Sequence, residues 1–187
     1  MNLMISGGRA SSLLKVLKMA ASTNIAGVHR LLVEALGDAK AIAQLDPDGY
    51  ISPEIWRAAV ERVRLAQFAH LPAWEGAVAV GAFIATRFLD SEPGRLTHES
   101  LRMMTLDRAM IAVVMPMSER MRRAAEFDFR PSPSGGGFID IRGTLEVSAA
   151  MVLGLYRELI NRVPGRHEVK LVTQRQDFIS LEVTVSV

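Results

Sequence analysis

The residues that could carry chemistry are few and dispersed along the chain. The chain has four histidines, His29, His70, His98 and His167. No two of them are spaced like metal ligands on one helix or strand. There is no cysteine, which excludes disulfides, thiolate metal centres and thiol catalysis. Phosphate-binding glycine loops, nucleophile elbows and zinc-protease motifs are also missing. The sequence therefore predicts no catalytic residue, no metal ligand and no cofactor.

An enzymatic alternative nevertheless stays open. His70, Asp107 and Asp140 are titratable residues on or near apolar elements. They could do acid–base chemistry if the fold brought them together. Nothing in their spacing indicates that it does.

The most unusual feature of the composition is a concentration of methionines at positions 103, 104, 110, 115 and 117. Core filling is the simplest explanation, but methionines also line adaptable pockets that accept apolar ligands or partner helices. We expect a pocket beside the predicted helix over residues 74–89, whose small residues leave room. The pocket would lie against the methionine-bearing helix over residues 97–114 and the last helix, which begins near Met151. Its predicted lining residues are Trp74, Phe83, Met104, Ile111 and Tyr156.

The small residues Ala77, Gly81 and Ala85 of the predicted helix over residues 74–89 bear on whether such a pocket exists. Small residues in a helix either admit a neighbouring backbone or leave a cavity, and only a cavity makes a ligand site. The sequence leaves these two cases open.

Apolar residues recur at helical spacing through the first two thirds of the chain. This spacing predicts helices over residues 24–37, 53–68, 74–89, 97–114 and 117–126. The pattern then alternates, which predicts strands over residues 127–133 and 138–142. Another helix begins near Met151 and stops at Pro164-Gly165, and two more strands cover residues 167–173 and 178–187. The predicted fold class is α+β, with a helical N-terminal half packed on an antiparallel four-stranded sheet in β-β-α-β-β order.

The length of 187 residues suits a single domain, which we place at residues 24–187 after an N-terminal arm or short amphipathic helix over residues 1–23. The formal net charge is only +2, so non-specific nucleic-acid binding is not implied. The most apolar stretch, residues 78–85, is too short to span a membrane. We expect a cytoplasmic protein with no nucleic-acid partner and no membrane span.

The order of elements resembles the ligand-binding fold shared by four-vinyl-reductase-like domains, haem nitric-oxide-binding domains and Bet3-type trafficking subunits. The segments that suggest it are Gly49 to Trp56, Val80 to Phe83, the run from Ser118 through Phe129, and the C-terminal hairpin. More narrowly, the chain looks like members of a myxobacterial paralogous family of proteins of about this size. The resemblance covers about residues 24–187. It implies a sensor or adaptor module that holds a small apolar molecule between helices and sheet, or packs against a partner.

Two departures from those families affect what the resemblance implies. Related four-vinyl-reductase-like domains often carry cysteines in the last strands, and this chain has none. The YxSxR haem-propionate signature is also missing, because Tyr50 and Tyr156 are followed by Ile51-Ser52 and Arg157-Glu158. The resemblance therefore does not imply haem.

Two functions are weighed most heavily. The first is a non-enzymatic regulatory or sensor domain that binds a small apolar molecule. The second is a protein–protein assembly or adaptor module in which the same apolar surface is an interface. A homodimer is the predicted assembly state, and the partners expected are a small apolar ligand or another protein.

Overall fold

Helices dominate the first part of the chain. The computed structural model describes residues 53–116, 125–133, 135–143 and 148–186. Its helices before the sheet are α1 (Pro53–Gln67), α2 (Ala73–Leu89), α3 (Glu92–Arg102) and α4 (Leu106–Ala109), and α4 continues into a π-helical turn at Met110–Val114. The predicted helix over residues 24–37 and the arm over residues 1–23 lie outside the described residues.

The helix predicted over residues 97–114, which carries Met103, Met104 and Met110, differs from its prediction. A continuous helix over residues 97–114 was expected, whereas α3 begins at Glu92 and ends at Arg102. Ser91 starts α3 early, because its hydroxyl accepts the Gly94 N–H at 3.3 Å as an N-cap. After a break, Thr105 becomes the N-cap residue of α4.

The helix predicted over residues 117–126 is wrong at its end. Ala125 and Glu126 belong to the first strand, where they pair with Gly143 and Arg142. Residues 117–124 lie outside the described residues. The alternating pattern that begins at Phe127 in the sequence therefore extends two residues further toward the N-terminus.

The four strands form one antiparallel sheet. The strands are β1 (Ala125–Pro131), β2 (Gly137–Gly143), β3 (Arg166–Arg175) and β4 (Phe178–Ser186), and α5 (Ala149–Ile160) lies between β2 and β3 in the chain. Their spatial order is β1-β2-β4-β3, so β4 is a central strand. The predicted α+β class and the β-β-α-β-β order are confirmed.

Glycine makes the tight connection between β1 and β2 possible. Gly135 and Gly136 have φ angles of +85° and +78°, a region that residues with a Cβ rarely adopt. Gly135 and Gly136 thus lie in the connection between two antiparallel strands, β1 and β2.

The core lies between one face of the sheet and the helices. The fully buried sheet residues include Ile139 on β2 and Leu181 on β4, which are cross-strand partners. Helix α5 packs against both α2 and β3. No helix within the described ranges is both long and apolar enough to cross a membrane.

Candidate functional site

The contact between α2 and α5 answers the question that Gly81 raised. A Cβ atom added to Gly81 would lie 1.9 Å from the backbone oxygen of Met151. From the other side, a Cβ on Gly154 would lie 1.9 Å from the backbone oxygen of Val78. Real Cβ atoms do not approach backbone so closely, so the two helices touch backbone to backbone at these glycines. Around Gly81 and Gly154, α2 packs directly against α5 and no cavity lies between the two helices.

Phe83 and Tyr156 both point away from this contact. Each follows a contact glycine by two residues, which turns it about 200° round its helix. Phe83 is half-buried, packs edge-to-face on Phe68 of α1 with ring centroids 6.1 Å apart, and lies under the Arg87 guanidinium. Tyr156 is 2% exposed and belongs to the buried core.

The other predicted lining residues occupy the margins of the helical layer. Trp74, at the start of α2, is 46% exposed. Ile111, in the π-helical turn, is 63% exposed, while Met104 between α3 and α4 is half-buried against the core. The structure therefore does not gather the five residues round the α2–α5 contact. Their role in binding a ligand stays a prediction.

The π-helical turn is a feature that periodicity did not predict. Met110 and Val114 at its two ends are fully buried, and Ile111 between them is exposed. Such turns frequently occur at functional sites because they re-aim side chains. Here the turn presents the apolar side chain of Ile111 to solvent.

The residues of the enzymatic alternative have different surroundings. His70 lies in the exposed turn after α1, and Asp107 is exposed on α4. Asp140 is 2% exposed on β2. Within the described ranges, no group of three or more His, Cys, Asp or Glu side chains could hold a metal ion.

Asp140 anchors a polar network on the sheet face opposite the helices. Its Oδ1 accepts the Ser180 hydroxyl at 2.7 Å, and its Oδ2 accepts Arg130 Nε at 2.9 Å. Arg142 Nη2 lies 3.8 Å from the same Oδ2. Arg130 stacks 5.3 Å over Phe138, which adds a cation–π contact. The network satisfies a buried carboxylate and stabilises the pairing of β1, β2 and β4.

Sequence reasoning grouped Asp140 only with possible catalytic acids. The signal that could have placed it is the alternation in β2, where Ile139 and Ile141 face the core and Asp140 between them must face the other way. Its partners could not be read from this pattern, because they depend on the cross-strand register.

Comparison with solved structures identifies the fold. The chain is similar to an H-NOX variant from T. tengcongensis, with a TM-score of 0.63, 11% identity and coverage of 96% of this chain and 98% of that chain. It is also similar to an Fe(II) unliganded H-NOX variant from K. algicida (TM-score 0.59, 9% identity, 96% and 97% covered). An H-NOX protein from S. oneidensis in the Fe(II)NO ligation state gives a TM-score of 0.53 at 16% identity, with 95% and 99% covered. A scan against protein-family models and a search of curated proteins find no match.

The chain therefore has the H-NOX fold, as the resemblance to haem nitric-oxide-binding domains predicted. These structures do not bear on the narrower resemblance to a myxobacterial paralogous family. At such low identity they establish the fold and leave the ligand to be argued from this chain's own residues.

Within the described ranges, no haem can lie between α2 and α5 at the level of Gly81 and Gly154. The backbone contact at Gly81 and Gly154 closes the space between α2 and α5. His167 Nε2 lies 3.0 Å from the Pro164 carbonyl oxygen, and His70 is exposed. His98 lies on the inner side of α3 with Gly94 and Leu101, but no side-chain partner within the described ranges orients its ring. A histidine that ligates a metal normally donates its second ring N–H to a carboxylate, a backbone carbonyl oxygen or a water.

Proposed function

We propose that the chain is a non-enzymatic sensor domain of the cytoplasm that uses the H-NOX fold to bind a small apolar molecule without haem. The observation that carries this proposal is the fold, which extends over 94–96% of the chain in seven H-NOX comparisons. The structure of the S. oneidensis neighbour is in an Fe(II)NO ligation state, so that protein of the same fold holds a small ligand. Ligand pockets are mostly apolar with few polar groups. The interior of this chain has that composition.

Two of the predicted lining residues support a site at the margin of the helical layer. Met104 is half-buried between α3 and α4, and Ile111 is exposed on the π-helical turn that follows. The turn separates Ile111 from the buried Met110. A flexible methionine next to an irregular helix can change rotamer to admit a ligand at modest cost. Phe83, which packs on Phe68, and Tyr156, which is 2% exposed, are not part of this proposed site.

The experiment is native mass spectrometry of the full chain purified from its native host, followed by titration with the apolar fluorescent probe 1-anilinonaphthalene-8-sulfonate. We expect a co-purifying apolar mass in a one-to-one complex, and saturable probe binding that the released molecule displaces. A protein that carries no additional mass and binds no probe would overturn the proposal.

Neighbouring methionines provide a matched pair of variants. Met104→Ala removes a half-buried side chain, and Met103→Ala removes one that is 84% exposed. We expect Met104→Ala to weaken probe binding about tenfold, which is the loss of roughly two buried methylene groups. Met103→Ala should bind the probe like the parent. Equal effects of the two variants would place the probe elsewhere.

A second candidate function is protein–protein assembly. It is favoured by the exposure of large apolar side chains at Leu96, Met103 and Ile111, which are 71%, 84% and 63% exposed. Exposed apolar surface of this kind is typical of interaction sites. An assembly module would carry no co-purifying apolar mass and would associate with itself or with another protein.

A further inference from the structure

The outer side of α3 carries an organised stripe of exposed side chains. The inner side of the helix is buried at Gly94 and Leu101. The outer side presents Leu96 and Met103, seven residues apart and therefore on one line of the helix. The charged residues on the same side, all exposed, are Glu92, Arg95, Glu99 and Arg102. Together these side chains fall within about 120° of the helix surface.

The four charges alternate in sign along the stripe. Their order from the N-terminus is negative, positive, negative, positive. Within the described ranges none of the four side chains forms an ion pair or a hydrogen bond. The stripe therefore presents two apolar side chains and four charged side chains, none of which forms a close ion pair within the described ranges.

The charge pattern of the stripe is complementary to that of a second copy that runs antiparallel to it. If two copies of α3 pack antiparallel about a two-fold axis at Thr97, Glu92 of one copy lies opposite Arg102 of the second copy. Arg95 likewise lies opposite Glu99. A two-fold axis repeats each contact, so two opposite-charge pairings become four. The Leu96 side chains of the two copies meet beside the axis.

We infer that the outer side of α3 binds the same surface of a second copy of this chain, forming an antiparallel helix pair in a two-fold dimer. The occupant is a second copy because the alternation satisfies every charge of the stripe with the stripe itself. A partner of uniform charge would repel half of it. The inference rests on the second candidate function and makes it specific to a second copy of this chain. The dimer needs no ligand, so probe binding does not test it.

Sedimentation of the full chain over a range of concentrations, with two charge reversals, tests the inference. Arg95→Glu places like negative charges opposite Glu99 in a homodimer, and Glu99→Arg places like positive charges opposite Arg95. We expect each variant to associate at least about tenfold more weakly than the parent, because two attractive pairs become repulsive. Both positions are exposed, so the variants should keep the parent's circular dichroism spectrum and unfolding midpoint.

A mixture of the two variants gives the sharpest result. One chain then carries two negative charges at positions 95 and 99 and the other carries two positive ones. The heterodimer regains all opposite-charge pairs, so mixing should restore association to the parent's level. In about 1 M NaCl, where charges are screened beyond about 3 Å, the difference between the mixture and the separate variants should shrink.

Arg175→Glu is the matched control, because it reverses an exposed arginine on the edge strand β3. It should dimerise like the parent. Three results would overturn the inference: a parent that is monomeric throughout, single reversals that dimerise as well as the parent, or a mixture that does not recover association.

Discussion

Gly81 and Met151 bring the backbones of α2 and α5 into contact. A Cβ on Gly81 would lie 1.9 Å from the Met151 oxygen, far inside van der Waals distance. The small residue Gly81 in α2 therefore serves close packing of α2 against α5. Close approach of α2 lets α5 lie between it and the sheet, where most of α5 is buried. A ligand site therefore cannot lie between α2 and α5 at Gly81 and Gly154.

Gly81→Ala should destabilise the protein by about 1–3 kcal/mol, because the added methyl group forces two backbones apart. Alanine is otherwise the better helix former by about 1 kcal/mol, so the sign of the result is informative. Gly76→Ala in the same helix is the control. Its Cβ would meet only the flexible Arg64 side chain, 3.1 Å from Cγ.

Urea unfolding measures both glycine variants. Gly76→Ala should be neutral or stabilising. Equal stability changes at the two glycines would show that α2 and α5 do not touch at Gly81, and would reopen that level of the fold to a ligand.

The sheet could be predicted from the sequence more completely than the helical layer. Alternation over Ile179, Leu181 and Val183 fixes which side chains face the core, and all three are buried. Val185 continues the alternation but is 41% exposed, because burial also depends on how far the covering helices extend. Alternation of apolar residues shows which face of the sheet a side chain lies on. It does not show whether a helix covers that part of the face.

Long-range contacts account for what could not be predicted. Whether Gly81 makes a contact or a cavity depends on Gly154 and Met151, about 70 positions away in the chain. The break between α3 and α4 was missed because apolar residues continue at helical spacing through it. The predicted pocket residues were chosen by type, and helix geometry then turned Phe83 and Tyr156 away from the α2–α5 contact.

Asp140→Asn should cost about 1–3 kcal/mol of unfolding free energy, because it removes the ion pair with Arg130 and disturbs the hydrogen bond from Ser180. The arginine left behind is 57% exposed and can be hydrated, so the cost should stay below that of breaking a fully buried pair.

Asp128→Asn is the control for Asp140, since Asp128 is the exposed cross-strand partner of Asp140. It should change the stability by less than about 0.5 kcal/mol in urea unfolding. A loss at Asp128 as large as that at Asp140 would contradict a specific role for the buried network.

The carboxyl group of Glu61 should titrate at a lower pH than an ordinary glutamate. Arg64 donates to it at 2.8 Å and 2.6 Å, and this hydrogen bonding lowers the pKa of Glu61. A lowered pKa means that the ion pair stabilises the fold above the carboxyl's unfolded pKa, and that this stabilisation is lost as the pH falls through the folded pKa.

An NMR pH titration of the Glu61 side chain measures this shift. Arg64→Met should return the pKa of Glu61 toward its ordinary value. Arg62→Met should move it less, because Arg62 acts only through its charge and is the smallest of the causes. If Arg64→Met left the Glu61 titration unchanged, the Arg64 pair would not exist in solution.

Removal of the last eight residues should abolish folding, because β4 is a central strand. The truncation leaves Ile179 and removes Leu181 and Val183, which are 0% and 1% exposed. Each contributes roughly 1.5–3 kcal/mol when buried. It also removes most of the pairing of β4 with β2 and β3. The loss is comparable to the whole stability of a small domain, about 5–15 kcal/mol.

Removal of residues 1–23, the predicted arm, is the matched deletion and should leave cooperative unfolding intact. Thermal unfolding followed by circular dichroism distinguishes the two, and a cooperative transition in the C-terminal deletion would mean that the sheet does not need its fourth strand.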